Sequence, residues 1–168
     1  ADLREITLLL GGEMCVLGGV AEDLDAGRKL MTNAIESGAA LDVMSKMVEA
    51  QGGDPRVCDP DHRLPVAPIE HHIIAKRDGV VCEFATEQFG WAMIDLGGGR
   101  RQVSDTIDHA VGITVHKKLG DKINAGDVLA TINARSEAGL DEVALNLQGA
   151  IRIGDECQPL TLVYEEMR

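Results

Sequence analysis

Apolar residues recur every three or four positions through residues 3–50, which is the spacing of amphipathic helices. The pattern predicts three helices, over residues 3–17, 21–36 and 39–50, each followed by a glycine pair or by Ser-Gly. The faces that we expect to be buried are Leu3, Ile6, Leu10, Met14 and Leu17 in the first helix, Leu24, Gly27, Leu30, Met31, Ala34 and Ile35 in the second, and Leu41, Met44, Met47 and Val48 in the third. Gly11 and Gly12 lie inside the first helix, where a glycine costs about 1 kcal/mol relative to alanine. We therefore expect this pair to mark the close approach of another element.

Residues 54–68 separate this helical region from a remainder of different pattern. The segment contains four X-Pro pairs, which disfavour helix, so it is the predicted linker. Beyond it the pattern predicts strands over residues 70–75, 79–84, 110–115, 128–132 and 160–164, and helices over residues 86–96 and 140–153. A strand over residues 90–96 is an alternative, because that run is short. Helices followed by mixed strands and helices indicate the α+β class rather than a doubly wound parallel sheet.

Composition and charge exclude several kinds of partner. Hydrophobic residues make up 45% of the 168 residues, which is enough for a core, but aromatic residues only 2%, so the core must be aliphatic. Few aromatic residues and a net charge of −12 argue against nucleic-acid binding, which uses stacking platforms and basic surfaces. The sequence has no apolar run long enough to span a membrane and no signal peptide. We expect a cytoplasmic protein with neither nucleic acid nor membrane as a partner.

The four cysteines are too far apart in sequence to form a CxxC motif. They are Cys15, Cys58, Cys82 and Cys157. Two of them sit inside apolar runs. We expect small, buried thiols in a reducing compartment rather than disulfides or a zinc site.

The stretch around residues 95–108 combines a glycine run with closely spaced charges. It reads Asp95-Leu96-Gly97-Gly98-Gly99-Arg100-Arg101 and continues to Asp105-Thr106-Ile107-Asp108. Consecutive glycines are costly to order and occur where the backbone bends sharply or approaches something closely. Two interpretations remain open: the end of a helix followed by solvated charges, or a loop that faces a ligand.

The histidines do not form an obvious catalytic set. His71 and His72 are adjacent, so in a strand their side chains point to opposite faces and cannot readily share a metal ion. His109 and His116 could act as acids or bases near neutral pH, and Asp108 adjoins the first of them. No nucleophile or carboxylate partner follows from spacing, so we assign no catalytic residue and no metal ligand.

Several motifs, read in order, carry a resemblance that covers essentially the whole chain. They are Leu9-Leu10-Gly11-Gly12-Glu13-Met14, Ala50-Gln51-Gly52-Gly53-Asp54, Leu96-Gly97-Gly98-Gly99-Arg100-Arg101, Ser104-Asp105-Thr106-Ile107-Asp108, Ala110-Val111-Gly112 and His116-Lys117-Lys118-Leu119-Gly120-Asp121. With these motifs the chain resembles the C-terminal part of pyrimidine-nucleoside phosphorylases, the family that includes thymidine phosphorylase.

The resemblance implies a domain organisation and a reaction. Residues 1–53 would be a helical segment of the incomplete central phosphorylase domain, residues 54–68 a linker, and residues 69–168 an α/β hammerhead of barrel-sandwich type. Members are transferases that cleave pyrimidine nucleosides with phosphate to the base and a pentose 1-phosphate. They are typically homodimers, and some bind a monovalent cation. The N-terminal part of the same enzyme would be the partner of this chain.

The resemblance also limits what this chain can do alone. The family's catalytic and phosphate-binding residues, and its cation ligands, match positions outside this sequence, so we expect no catalysis and no cofactor in the chain by itself. Its loop at Arg100, Arg101 and Ser104 would lean over the substrate cleft, where an arginine could neutralise phosphate. The start at Ala1, directly before a packed helix, also favours a piece of a longer protein.

Two other functions stay open from the sequence. One is a non-catalytic structural or interaction module, which fits the lack of a complete site. The other is a biotinyl or lipoyl carrier, because residues 120–132 resemble the turn of such domains. A carrier presents a lysine at a hairpin tip, and Lys117, Lys118 and Lys122 lack the flanking pattern, which makes this function the less favoured one.

Overall fold

The computed structural model describes residues 2–62, 64–157 and 161–164, which form two compact units. The helical unit contains residues 2–62 and 161–164, and the sheet unit contains residues 64–157. Together they show the α+β class that the sequence predicts. None of the helices in these ranges is long and apolar enough to cross a membrane.

The helical unit contains the three helices that the apolar spacing predicts. They are α1 (Asp2–Leu17), α2 (Leu24–Glu36) and α3 (Ala39–Ala50), and a 3-10 turn follows at Pro55–Cys58. Helix α2 begins later than predicted because the Asp23 side chain accepts a hydrogen bond from the Ala26 amide, at 2.8 Å, and so caps the helix. Helix α1 ends at Leu17, and Gly19, just beyond it, adopts a left-handed φ of 69°.

Helices α1 and α2 meet at two glycines. A Cβ placed on Gly27 would lie 2.4 Å from the carbonyl oxygen of Gly12, so the two backbones touch. The ion pairs Arg28–Glu5, at 2.6 Å, and Arg4–Glu36, at 2.7 Å, join the two helices on one side of this crossing. The close approach predicted from the glycine pair is confirmed, and the element that makes it is α2 itself.

The predicted buried faces of this unit are largely wrong. Leu3, Met14 and Leu17 are 77%, 71% and 85% exposed, and α3 has no buried residue, although Leu41, Met44 and Met47 lie at helical spacing. A crossing made by glycines uses little side-chain surface, and α1 buries only Leu8 and Gly12. The helical period is correct, but nothing in the described chain covers most of the apolar side chains that it aligns.

The sheet unit contains six strands and two helices. Its elements are β1 (Ile69–Ile74), β2 (Gly79–Phe84), α4 (Thr86–Asp95), β3 (Gly112–Val115), β4 (Lys122–Ile123), β5 (Val128–Ala134), α5 (Leu140–Ala150) and β6 (Ile151–Gly154). They form two antiparallel three-stranded sheets, with strand orders β1-β5-β3 and β4-β2-β6. The alternative strand over residues 90–96 is wrong, because residues up to Asp95 continue α4.

An aliphatic core fills the sheet unit, as the composition predicts. Its fully buried side chains are Ile73, Val81, Leu129, Ile132 and Leu147. Helix α5 contributes the last of these, and Phe84 and Phe89 pack edge to face with ring centres 5.8 Å apart. A smaller cluster of Ala67, Ala110 and Val111 packs against Met93 and Leu96.

Three parts of the chain depart most clearly from the sequence prediction. The predicted helix over residues 140–153 ends at Ala150, because Ile151 and Ile153 pair with β2 instead. The short strand β4 lies inside a predicted turn and pairs with Gly79 and Val80. The predicted strand over residues 160–164 does not form at residues 161–164, and residue 160 lies outside the described residues.

Candidate functional site

The loop that follows α4, residues 97–108, is called the glycine-arginine loop. Its first glycine ends the helix: Gly97 has a left-handed φ of 90°, and the Gly98 amide donates to the Met93 carbonyl at 2.8 Å. A Cβ on Gly98 would lie 2.5 Å from Met93 Cε and 3.0 Å from Val111 Cγ2. The glycines are thus explained by the end of the helix and by close packing, and this part of the loop fits the simpler of the two interpretations.

Asp105 organises the middle of the glycine-arginine loop. Its Oδ2 accepts hydrogen bonds from the backbone amides of Gln102, at 3.0 Å, and Arg101, at 2.9 Å. These bonds favour the ionised carboxylate, so they lower the pKa of Asp105. The carboxylate therefore holds the two residues that follow Arg100 in a defined turn.

Asp108 fixes the far end of the loop. Arg135 donates two hydrogen bonds to the Asp108 carboxylate, from Nε at 2.7 Å and from Nη2 at 2.9 Å. The Ala110 amide adds a third, at 2.9 Å. The bond from Arg135 and then that from Ala110 lower the pKa of Asp108 to about 2. Because Arg135 directly follows β5, this pair ties the loop to the sheet.

Arg101 lies in a cleft of about 300 Å³ that it shares with two carboxylates. The cleft is lined by Ile94, Asp95, Arg101, Gly139, Glu142 and Val143. Arg101 forms an ion pair with Asp95 through a short hydrogen bond. A guanidinium already paired with one carboxylate, and close to a second, offers little net positive charge to an anion in this conformation.

Arg100 and Ser104 occupy the exposed part of the glycine-arginine loop. Arg100 forms no ion pair or side-chain hydrogen bond with the described residues, and both side chains are exposed. Val103, between them in the turn, is 91% exposed. The three predicted site residues thus share one loop, and of the two arginines Arg100 is the one with its guanidinium available.

The histidines are arranged as strand geometry predicts. His72 lies opposite Thr131 on β5, whereas His71 lies opposite Ile132, so the two rings occupy opposite faces. His116 follows β3 and reaches the same threonine as His72. His109 is exposed beside Asp108.

Thr131 joins two of these histidines through its hydroxyl group. Its Oγ1 is 3.1 Å from Nδ1 of His72 and 2.7 Å from Nε2 of His116. Thr131 is the one buried polar side chain among the described residues, and the two imidazoles satisfy its hydrogen bonds. Over residues 2–62, 64–157 and 161–164, no group of three or more His, Cys, Asp or Glu side chains is placed to hold a metal ion.

The lysines near the turn between β3 and β5 do not present a carrier-type tip. Lys117 is paired with Asp127 at 3.1 Å. A hydrogen bond from the Asn124 amide, and then the bond from Lys117, lower the pKa of that aspartate. Lys122 belongs to β4. Lys117 and Lys122 are therefore not held out at a hairpin tip for covalent modification.

Comparison with known proteins places this architecture in a family. Residues 80–154, from the start of β2 to the end of β6, match the family model for the pyrimidine nucleoside phosphorylase C-terminal domain. This segment belongs to that family. The glycine-arginine loop and its Asp108–Arg135 pair lie within the matched segment, so they are part of the family domain.

The likeness extends beyond the matched segment. The chain is 40% identical over 164 residues, 98% of its length, to pyrimidine-nucleoside phosphorylase of Staphylococcus aureus strain bovine RF122 / ET3-1. The same figures hold for the enzymes of S. aureus strains USA300 and NCTC 8325. The alignment covers 38% of each relative, so the chain spans about two fifths of their length. It corresponds to the C-terminal part of these phosphorylases.

Two residues of the site were not found from the sequence. Arg135 is separated from Asp108 by 27 positions, and no local motif predicts that ion pair. Thr131 sits in an apolar run that predicts only a buried strand. The one feature of the sequence that could have pointed to Thr131 is a polar residue at an inward position of an apolar strand, because a buried hydroxyl group needs a hydrogen-bond partner.

Proposed function

We propose that this chain is the C-terminal part of a pyrimidine-nucleoside phosphorylase, a pentosyltransferase of the thymidine phosphorylase kind. The whole enzyme cleaves a pyrimidine nucleoside with phosphate and releases the base and a pentose 1-phosphate. The observation that carries the proposal is the likeness over 98% of the chain to relatives of which it spans only 38%. The chemistry then belongs to the part of the enzyme outside this sequence, and the chain alone is inactive.

Exposed apolar side chains support an N-terminal partner region. Leu3, Leu10, Met14 and Leu17 follow one another at intervals of seven, four and three residues, which places them on one face of α1. All four are more than half exposed. An apolar stripe of this kind is costly in water unless another surface covers it. We propose that the N-terminal part of the same enzyme covers this face.

The glycine-arginine loop is the proposed contribution of this chain to substrate handling. Asp105 holds the middle of the loop and Asp108 its far end, and Arg100 projects from it without a partner among the described residues. A guanidinium suits the oxygens of phosphate, which is the co-substrate of the proposed reaction. We assign Arg100 the main role, with Ser104 beside it, and a smaller role to Arg101 because Asp95 already binds that side chain.

The remaining features of the whole enzyme are proposed on the resemblance alone. They are a cytoplasmic homodimer, a monovalent cation bound outside this chain, and a hammerhead arrangement of residues 69–168. The two antiparallel sheets of the sheet unit are compatible with such a domain.

The first experiment measures phosphorolysis of thymidine and uridine. It compares this chain alone with a hybrid enzyme in which the chain is joined to the N-terminal part of the S. aureus relative. We expect base release and pentose 1-phosphate from the hybrid only. Activity of the chain alone would show that the chemistry lies within these residues, and a folded hybrid without activity would contradict the family function.

A second experiment tests the loop in the same hybrid enzyme. Arg100→Ala should lower kcat/KM for phosphate by about tenfold or more, because a charged hydrogen bond to an oxyanion contributes about 1.5–3 kcal/mol. Arg101→Ala should have a smaller effect. Arg152→Gln, an exposed arginine of β6 that pairs with Glu83, is the matched control. Equal kinetic constants for Arg100→Ala and the control would remove the loop from the mechanism.

The alternative of a non-catalytic interaction module rests on the same exposed face of α1. If that face serves self-association rather than an N-terminal partner region, the isolated chain should form a discrete dimer in gel filtration. A concentration-independent monomer, together with an active hybrid, would decide in favour of the phosphorylase function.

A further inference from the structure

Cys82 lies in β2, the central strand of the second sheet, and is next to Cys157, which follows the edge strand β6, although 75 positions separate the two in the chain. Cys82 occupies an irregularity of β2, between the pairs Val81–Ile153 and Glu83–Arg152. Its Sγ is 3.0 Å from the carbonyl oxygen of Glu156, the residue directly before Cys157. In the other direction, the Sγ of Cys157 lies 3.9 Å from the carbonyl oxygen of Cys82.

The two side chains also act on each other. Burial raises the pKa of the Cys157 thiol, and the adjacent Cys82 raises it further through its charge and through a hydrogen bond between the two side chains. Each sulfur atom lies against the backbone at or directly beside the other cysteine. The fold of the sheet unit therefore brings the two cysteines together.

Gly154 makes room for this arrangement. A Cβ at that position would lie 2.7 Å from the Sγ of Cys82, so the sulfur packs against bare backbone. Cys15 and Cys58 belong to the helical unit and make no side-chain hydrogen bond to any described residue. All four cysteines are thiols in the structure, but this one pair is set up to react with itself.

We propose that Cys82 and Cys157 are a site of oxidative modification, at which peroxide converts the two thiols into an intramolecular disulfide. One thiol attacks hydrogen peroxide, which breaks the O–O bond and gives a sulfenic acid and water. The second thiol then attacks that sulfur, forms the S–S bond and releases a second water. The two thiols together lose two electrons and two hydrogen atoms to one peroxide.

The disulfide links the residues that follow β6 to the middle of β2. Cross-links that close long loops restrict the unfolded chain, so oxidation should raise the thermal midpoint of the sheet unit. Because the thiolate is the reactive form, the reaction should be faster as the pH increases.

The test is peptide mapping after exposure of the reduced, full chain to equimolar hydrogen peroxide. Remaining thiols are alkylated before trypsin digestion. Cleavage after arginine and lysine places the four cysteines in four different peptides, with Cys82 in residues 78–100 and Cys157 in residues 153–168. We expect these two peptides to be joined, with Cys15 and Cys58 recovered as alkylated thiols. Yield should increase with pH, and a reductant should release both peptides.

Two controls separate the role of the fold from chance pairing. The double variant Cys15→Ser, Cys58→Ser should give the same cross-link, and the same oxidation in concentrated urea should lose the selectivity. The proposal is overturned if native chain gives cross-links that include Cys15 or Cys58 at comparable yield. It is equally overturned if Cys82 and Cys157 are converted separately to sulfinic acids. Neither readout requires a variant at the proposed site to fold.

Discussion

The helical unit and the sheet unit contain the same kinds of aliphatic side chain but bury them to very different extents. In the sheet unit, Leu129, Ile132 and Leu147 are fully enclosed. In the helical unit, α1 and α2 meet backbone to backbone at Gly12 and Gly27, and whole apolar faces of its helices lie open. The difference teaches that a helical apolar pattern identifies the face that must be buried. The pattern does not show whether the surface that buries this face belongs to the same stretch of chain.

The largest expected effect comes from the sheet core. Leu147→Ala should destabilise the sheet unit by about 2–5 kcal/mol, because it removes a fully buried side chain and leaves a cavity. Leu145→Ala, on the same helix but 69% exposed, should change stability by no more than about 0.5 kcal/mol. Urea unfolding followed by the fluorescence of Trp91, the single tryptophan, reports this unit. Equal effects of the two variants would refute the description of the core.

The glycine crossing should be the sensitive point of the helical unit. Gly27→Ala places a Cβ 2.4 Å from the Gly12 carbonyl oxygen, so overpacking should outweigh the gain in helix propensity and cost about 1–3 kcal/mol. Gly90→Ala in α4 is the control, because no atom lies within 4 Å of the new Cβ. That variant should stabilise its helix by about 0.5–1 kcal/mol. Helical circular dichroism during unfolding measures both, and a stabilising Gly27→Ala would show that the helices do not cross there.

Acid should distinguish two aspartates with the same lowered pKa, one in each unit. Arg56 lowers the pKa of Asp54 to about 2, and Arg135 does the same for Asp108, from an ordinary value of 3.8. A lowered pKa in the folded state means that the unfolded chain binds the proton first. Each contribution to stability is therefore complete above pH about 4 and is lost as the pH falls towards about 2.

The two Asp–Arg ion pairs differ in whether the interaction can persist in the unfolded chain. Asp54 and Arg56 are two residues apart and can interact in the unfolded chain, whereas Asp108 and Arg135 separate. Asp108→Asn should thus lower the thermal midpoint at pH 6 more than Asp54→Asn does, and its difference from the unmutated chain should vanish towards pH 2. Arg135→Gln, which removes the other partner of this ion pair, should lower the thermal midpoint in the same way. A midpoint difference for Asp108→Asn that is constant from pH 2 to 7 would contradict the assignment.

The smallest effect is expected on the open face of α1. Met14→Gln should change the stability of the isolated chain by less than about 0.5 kcal/mol, because the side chain is 71% exposed and the helix propensities are similar. In the hybrid enzyme the same change should be clearly destabilising, since the proposed N-terminal region buries this side chain. Thermal midpoints of both proteins, with and without the substitution, give the comparison. A neutral result in the hybrid would mean that something else covers α1.

Local features of the fold were predictable, and distant pairings were not. Strand β2 and helix α3 follow directly from period and glycine breaks. Ile151 and Ile153 continue an apolar series that suits a helix or a strand, and only their pairing with β2 decides between the two. Strand β4, with two residues, has no period to detect.

The candidate site shows the same division. The glycine run and the charges around it marked the loop, because they are consecutive in sequence. Arg135 binds Asp108 only after the chain has passed through three strands, so its role depends on the fold. The choice between Arg100 and Arg101 also required the structure, which pairs the second with Asp95.

The hydrogen bonds by which Asp105 and Asp108 order the glycine-arginine loop have a thermodynamic consequence. A segment that is ordered before it meets a ligand loses little conformational freedom on binding, so more of the contact energy appears as affinity. Here the backbone around Arg100 is already held at Asp105 and at Asp108, while the Arg100 side chain keeps its rotamers. An anion that reaches this guanidinium therefore meets a preorganised backbone, and the entropic cost of binding is confined to one side chain.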